Sequence, residues 1–555
     1  MQWAANNFVP LLFAGLLGFL LSGFPVAFAL AAAGLSFGLL GIALDLFPPV
    51  LFQALPLRVF GIMQNDTLLA VPFFTFMGIV LERSGIAEDL LETAGQVFGP
   101  LRGGVALSVI AVGALLAATT GVVSAAVMSM GLISLPVMLR YQYNRGIATG
   151  VIMASGVLAQ AIPPSVVLIV LADQLGRSVG DMYAGAMVPG LLLVCVYAIF
   201  IVGLAFVRPA WVPALPPEAR NFREANGSTG HRSLLVLSLI SAVAALGWSR
   251  VHESVLGGNG GQGEVLVLSI SAGAATALLL ASIDRFLPRP VLSRLAVRVT
   301  LMLIPPLILI FLVLGTIFLG VATPTEGGAM GAVGALVLAV VRRRLDFPLL
   351  RQAVDYTAQL TCFVVFILIG ATVFSFAFNA ADGHIWVEHL FNRLPGGETG
   401  FLVAVMALVF VLGCFLDFFE IAFIVIPILA PVADKMGIDL IWFGVLIAMN
   451  LQTSYLTPPF GFALFFLRSV APQSDYIDRV TQRAIRKVTT PQIYSGSIAF
   501  VLLQLLMVGV LLVRPDLVTG QLDSGPKIDA RSVEIEVERG GYGTRDDDPM
   551  KRFGR

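Results

Sequence analysis

Residues 443–465 read FGVLIAMNLQTSYLTPPFGFALF. The run is apolar enough for a bilayer, yet Asn450, Gln452, Thr453, Ser454 and Thr457 fall in its middle. Pro458 and Pro459 follow, and Gly461 lies just beyond. Proline lacks an N–H and its ring clashes with the preceding turn, so a spanning helix is expected to break near Thr457. Inside hydrocarbon a break survives only where protein or a water-filled cavity satisfies the freed backbone groups. The stretch reads as an unwound segment lining an ion or solute site; an ordinary proline-kinked packing helix is the competing reading.

The arrangement occurs twice. Residues 161–165 read AIPPS, a second double proline in an apolar run. Pro136 precedes Pro163 by 27 positions (163 − 136), and Pro431 precedes Pro458 by 27 (458 − 431). In both halves an apolar segment ends near the first proline, a short charged loop follows, and a helical run with mid-span polar residues leads to the double proline. Two broken helices in corresponding positions point to a secondary transporter with its site between repeats.

Composition agrees. Hydrophobic residues make up 57% and charged residues 12% of the 555, against about 25% charged in soluble domains. With a mean hydropathy of +0.91, the chain reads as a polytopic membrane protein. A net charge of zero offers no case for nucleic acid. Cys195, Cys362 and Cys414 are far apart, with no CxxC pair, and the four histidines lack metal-ligand spacing. The first basic residue is Arg58 and apolar sequence continues to Leu44, so the N-terminus reads as a retained membrane segment rather than a cleaved signal.

Taken in order, residues 7–22 and 24–44 are apolar runs, 47–66 an amphipathic surface helix, and 67–81 a short span. Residues 82–100 form an interfacial arm. Residues 101–139 are long and apolar but interrupted by Thr119, Thr120 and Gly121, with flanks short for a crossing of about 20 residues. They are expected to form a re-entrant hairpin, one long helix being the alternative. The first broken helix (146–171) and a span (185–207) follow, then a proline-rich loop to residue 232. An extra pair of spans (234–248, 265–283) is joined through GGNGGQG, whose GxGxxG neither follows a strand nor opens a helix of the dinucleotide-binding kind. Further spans cover 301–320, 326–341 and 359–378, with a second arm at 381–399. Residues 401–430, interrupted at Asp417–Glu420, repeat the hairpin; the second broken helix and a last span (493–513) close the membrane part.

The chain thus divides into first scaffold helices and arm (1–100), a first transport half (101–184), scaffold helices with the extra pair 232–284 and second arm (185–400), a second transport half (401–470), a cytoplasmic loop and last helix (471–520) and a disordered tail (521–555). The expected fold is all-α, with about 12 transmembrane helices, two re-entrant hairpins and inverted repeats. Basic loops at 208–232, 285–298, 342–351 and 468–487, with Arg140 and Arg145, all fall in the cytoplasm on one alternating path. On that path the two hairpins open from opposite sides.

Several segments carry a family resemblance: ATGVIMASGVLAQAIPPS (148–165), ATPTEGGAMGA (322–332), PILAPVADKMGI (427–438) and NLQTSYLTPPFGFALF (450–465). From about Leu11 to Val513, outside the extra pair, the chain resembles the DctM-like large permease subunit of TRAP (tripartite ATP-independent periplasmic) transporters. TTGVVSAAVMSMG and LDFFEIAFIVIPIL resemble the branch labelled mannitol/chloroaromatic. The resemblance implies an elevator-type, sodium-driven symporter of carboxylate-bearing solutes in the bacterial inner membrane. It also implies two partners, a small four-helix DctQ-like subunit and a periplasmic DctP-like binding protein. Better-known branches carry Ser-Gly-Ser-Ser at the first hairpin tip; here Thr120-Gly121-Val122-Val123 stands there, with Ser124 next.

Sodium favours oxygen ligands, which frayed carbonyls and Ser/Thr/Asn side chains supply. A first ion is expected among Thr119, Thr120, Ser155, Gly156, Ile162 and Pro163, and a second among Gly413, Asp417, Asn450, Leu451 and Thr457. Gly121, Ser124, Gln160, Gln452 and Thr453 are the expected solute contacts. The bland alternative for the hydroxyls is bonding back to their own helix. An intramembrane carboxylate such as Asp417 is expensive and usually functional. Glu420 either shares that role or pairs with an arginine, and Glu326 reads as a helix cap. A stand-alone sodium-coupled anion symporter without a binding protein is the alternative function; no catalytic set suggests an enzyme.

Overall fold

A computed structural model describes residues 3, 7–219, 230–256, 262–287, 291–392, 395–478, 480–520 and 522. The tail from residue 523 and the centre of the glycine loop (257–261) lie outside them. The first half comprises α1 (Phe8–Leu21), α2 (Val26–Ala43), α3 (Leu55–Met63), α4 (Ala70–Arg83), α5 (Ile86–Phe98), α6 (Gly104–Thr120), α7 (Val123–Arg140), α8 (Arg145–Val157), α9 (Val166–Gln174) and α10 (Val179–Val207). The extra pair is α11 (His231–Leu256) and α12 (Gln262–Phe286). The second half comprises α13 (Arg294–Phe318), α14 (Pro324–Val341), α15 (Phe347–Ala380), α16 (Gly383–Asn392), α17 (Gly397–Leu412), α18 (Phe418–Lys435), α19 (Leu440–Leu456), α20 (Phe462–Val470), α21 (Thr490–Val513) and α22 (Asp516–Thr519). Nine helices among the described residues are long and apolar enough to cross a membrane, or ten if the bent run Pro49–Met63 with Thr67–Arg83 is one span. The protein is an all-α polytopic membrane protein.

Both expected breaks are present, and each follows from its prolines. Helix α8 tightens into a 3-10 turn at Leu158–Gln160 and restarts only at Val166, beyond Pro163-Pro164. Helix α19 ends at Leu456, Thr457 turns extended, and α20 restarts after Gly461. The Pro-Pro bond is cis in both. Hairpin helices α6 and α7 meet at Gly121 and Val122; Gly121 sits at φ +59°, a left-handed conformation that a side chain resists. The second hairpin turns through residues 413–417.

The halves are interlocked. Helix α7 of the first hairpin packs on α20, the restart of the second broken helix, and α18 of the second hairpin packs on α9, the restart of the first. Helix α8 lies along α21, where a Cβ on Gly150 would come within 2.2 Å of the Gly496 carbonyl oxygen. Around this core, α2 packs on α15 and α14 on α4, each pairing joining one helix from each half. The α2–α15 crossing is too close for side chains. A Cβ on Gly34 would meet the Val373 carbonyl oxygen at 2.6 Å, and one on Gly370 the Ala27 carbonyl oxygen at 2.3 Å.

Several elements differ from the sequence reading. Helix α15 starts at Phe347 rather than near Gln359, because Asp346 caps it by accepting the Leu349 N–H at 2.8 Å and Pro348 suits the first turn. Its 34 residues extend about 51 Å, well past a bilayer core of about 30 Å. The surface segment 47–66 forms a 3-10 run, Pro49–Ala54, before α3 instead of one helix. The loop after α20 is an ordered strap carrying β1 (Tyr476–Ile477) antiparallel to β2 (Ala484–Ile485). Its anchor is buried Asp478, which takes the Arg140 guanidinium at 3.0 Å and the Thr481 N–H and hydroxyl at 2.8 and 2.7 Å. Burial raises the Asp478 pKa, but the Thr481 bonds and Arg140 outweigh it and hold it below the usual carboxylate value.

The glycine crossings should be the least forgiving positions in the scaffold. Gly370→Leu is expected to cost about 1–3 kcal/mol or more by overpacking against backbone. Gly18→Leu, where a Cβ meets nothing within 4 Å, should cost little. Thermal unfolding in detergent measures both, and equal melting temperatures would show that α2 and α15 can part freely.

Candidate functional site

The second hairpin is fastened to the second break by a tyrosine. Asp417 caps the start of α18, and the Tyr455 hydroxyl, on the last turn of α19, donates to Asp417 Oδ1 at 2.6 Å. The same hydroxyl accepts the Phe418 N–H at 2.8 Å. Glu420 closes a capping box by accepting the Asp417 N–H at 2.9 Å. Glu420 therefore pairs with backbone rather than with an arginine. Glu326 behaves as its sequence suggests: its carboxylate accepts the Thr323 N–H at 2.8 Å and caps α14.

The other second-site residues gather at the same contact. A Cβ on Gly413 would come within 2.8 Å of the Ser454 side chain and 2.9 Å of Leu451, so the hairpin turn lies directly on α19. Asn450, buried, donates its amide to the Met406 carbonyl of α17 at 2.7 Å. Thr453, Ser454 and Thr457 donate to the carbonyls of Met449, Asn450 and Thr453. A hydroxyl that donates to its own helix keeps lone pairs for a cation, so this bonding is compatible with ligation.

Gln452 points elsewhere. Its side-chain oxygen accepts from Gln504 of α21 at 3.4 Å, which places it on the α21 face of α19 and not at the hairpin. A half-turn of helix separates it from Asn450, a difference of face that the sequence alone does not resolve.

The first site is built in the same manner with different chemistry. A Cβ on Gly113 of α6 would lie 2.4 Å from Ser155, and one on Gly156 would lie 2.4 Å from Val127 of α7. The hairpin tip reaches the break itself, since a Cβ on Gly121 would lie 3.1 Å from the Val166 amide nitrogen. Ser155 donates to the Val151 carbonyl at 2.7 Å. In the break, Ser165 donates to the Ala159 carbonyl at 2.8 Å, and the Tyr183 hydroxyl donates to the Ser165 carbonyl at 3.4 Å. Ile162 and Pro163 are buried, Ile162 beneath Gly190 of α10. Gln160 is buried with no hydrogen-bond partner for its side-chain oxygen among the described residues. Ser124 lies half-buried in the first turn of α7. The side chains of Thr119 and Thr120 are outside the described residues.

Each break thus faces a hairpin turn across a glycine contact, and each offers carbonyls and hydroxyls but little charge. Asp417 and Glu420 supply the acidic groups, both at the second hairpin. Tyr455 is the residue that sequence reasoning missed. The signal was a phenol just before the double proline in TSYLTPP, a polar tip that needs a partner when buried.

Comparison with known proteins gives a consistent picture. Residues 13–517 match the family described as the DctM component of tripartite ATP-independent periplasmic transporters. The C4-dicarboxylate TRAP transporter large permease protein DctM of Pseudomonas aeruginosa is 27% identical over 437 residues, covering 78% of this chain and 85% of that one. The sialic acid TRAP transporter large permease protein SiaM of Vibrio cholerae is 25% identical, covering 82% of this chain and 88% of that one. The isethionate TRAP transporter permease protein DctMQ of Oleidesulfovibrio alaskensis is 24% identical, covering 83% of this chain and 60% of its own length.

The tyrosine contact is directly testable. Tyr455→Phe leaves the Asp417 carboxylate and the Phe418 N–H without their partner, at about 1–3 kcal/mol for each buried group stranded. Tyr494→Phe, which loses only an exposed 3.4 Å bond to the Pro459 carbonyl, should be near neutral. Chemical denaturation of the two variants compares them; equal stability would mean that the phenol does not hold the hairpin.

Proposed function

The chain belongs to the DctM family of tripartite ATP-independent periplasmic transporters and is a transport permease, not an enzyme; on that premise we propose that it couples sodium entry to uptake of an organic acid. The observation that carries this reading is the paired contact of hairpin turn on helix break, at Gly121 with Val166 and at Gly413 with Ser454. Both contacts lie where the helix ladder ends at a proline pair, so that carbonyls and hydroxyls with spare lone pairs gather there, the ligand set a hard monovalent cation favours. The first ion sits among Thr119, Thr120, Ser155, Gly156, Ile162 and Pro163. The second sits among Gly413, Asp417, Asn450, Leu451 and Thr457, with Tyr455 holding the Asp417 carboxylate in place.

The solute is an anion. The cargoes named for the relatives, C4-dicarboxylate, sialic acid and isethionate, are all acids. Gly121, Ser124, Gln160 and Thr453 are its contacts at the hairpin and break edges, and Gln452 serves them only from behind. Hairpins and broken helices move as one elevator against the scaffold of α2, α4, α14 and α15. An extracytoplasmic binding protein delivers the solute, and a small four-helix subunit braces the scaffold; the relative named DctMQ is a fusion-type precedent for that partner. The bacterial inner membrane is the setting these partners require.

In proteoliposomes, uptake is expected to require an inward sodium gradient, the binding protein and the small subunit, without ATP. Asp417→Ala should raise the sodium concentration for half-maximal uptake by roughly tenfold, the effect of losing about 1.4 kcal/mol of ligation. Ser469→Ala, beyond the break, should change nothing. Full uptake driven by protons in sodium-free buffer would sink the ion assignment, and unchanged sodium dependence in Asp417→Ala would move the second ion elsewhere.

A further inference from the structure

Away from both breaks, a cavity of about 520 Å³ opens between the end of α7, the start of α8, strand β2 and the first turns of α21. Three arginines line it: Arg140, Arg145 and Arg483. Arg140 is committed to Asp478. The side chains of Arg145 and Arg483 form no hydrogen bond or ion pair with any described residue, so two cations face the space uncompensated. The cavity is also lined by Arg145 and Gly146 at the first two positions of α8, whose amides have no acceptor within the helix. Asn144 spends its side chain on the Ile147 N–H and leaves those two amides free.

The surroundings point to what fills it. Ser495, in the cavity wall, begins an exposed stripe on α21 that continues through Ile498, Leu502, Leu505 and Leu506 at helical spacing. Ile498 is 52% and Leu502 60% exposed, as expected of a face meeting acyl chains. On the strap, Ile477 and Val480 stand 66% and 68% exposed beside Arg483, Arg486 and Lys487, an apolar tip with a basic collar suited to a membrane surface. The basic loops place this side in the cytoplasm, whose leaflet carries the anionic lipids. A bare phosphate would leave most of the volume empty.

We propose that this cavity binds the phosphate headgroup of an anionic phospholipid, with an acyl chain lying along the exposed stripe of α21. Arg145 and Arg483 neutralise the phosphate, and the α8 amides add donors. Bound there, the lipid ties the strap, through Arg483, to the corner between α7 and α8, through Arg145.

The test uses the full chain in neutral detergent, stripped of co-purified lipid. Phosphatidylglycerol or phosphatidylcholine is titrated in and bound lipid is counted by native mass spectrometry. The wild type should prefer phosphatidylglycerol by about tenfold or more. Arg145→Gln with Arg483→Gln should lose the preference, and Arg145→Lys with Arg483→Lys should keep most of it. Arg351→Gln, which loses an exposed pair with Asp355 on α15, should leave it intact. Ser495→Trp spares both arginines but blocks the mouth toward the stripe, and should weaken phosphatidylglycerol binding. Equal binding of the two lipids by the wild type, or an undiminished preference in the glutamine variant at matched melting temperature, overturns the proposal. So does unchanged binding in Ser495→Trp. Displacement of phosphatidylglycerol by an equal concentration of inorganic phosphate would overturn it too, assigning the cavity to a free anion instead.

Discussion

A backbone carbonyl or N–H inside hydrocarbon must find a partner, and the structure depends on how two broken helices meet that demand. At Pro163-Pro164 and Pro458-Pro459 the i→i−4 ladder stops, and the chain itself brings partners to the gap. Ser165 covers Ala159, Tyr183 reaches Ser165, and Tyr455 accepts from Phe418 across the second hairpin. The same constraint accounts for the hairpins: each supplies a turn that closes on a gap which would otherwise face lipid.

Close backbone approach is the second half of the design. Gly113, Gly121 and Gly156 in one half and Gly413 in the other let the side chains of Ser155, Val166, Val127 and Ser454 seat directly on the facing backbone. Gly34 and Gly370 go further and bring the backbones of α2 and α15 together. Small residues let helices associate by van der Waals packing where water exclusion offers little. Such contacts are steep: a single methyl forces backbone apart.

The breaks and hairpins were legible because polar residues beside a proline pair, or at the centre of an apolar run, cost too much in hydrocarbon to be incidental; Pro305-Pro306, with no polar neighbours, lies inside the unbroken α13. The capping role of Glu326 was legible from Thr323-Pro324-Thr325-Glu326 alone. Side-chain direction was harder. Asn450 and Gln452 look equivalent in NLQTS, yet one bonds α17 and the other α21, and only helix packing separates them. Tyr455 escaped notice because its role needs Asp417, 38 positions away (455 − 417) and in another helix. The strap looks like a plain basic loop in sequence because its order rests on Arg140 meeting Asp478 across 338 positions (478 − 140), a pairing that local pattern does not show. The start of α15 is hidden for a simpler reason, since charged residues at Arg351 and Asp355 look like a loop when the helix outruns the bilayer.

Interlocking of the halves has a consequence for synthesis. Helix α8 leaves the ribosome 333 residues before the first turn of its partner α21 (490 − 157), and α7 likewise precedes α20. At about 5–20 residues per second this interval lasts roughly 15–70 s. Throughout it the first break is already closed by its own hairpin tip, Ser165 and Tyr183, while the faces of α7 and α8 that α20 and α21 will cover stand without those partners. Those helix faces rest against lipid until the second half arrives. The order of synthesis is therefore written into the fold: the first half settles its own break, and the contacts between halves form only once α20 and α21 are in place.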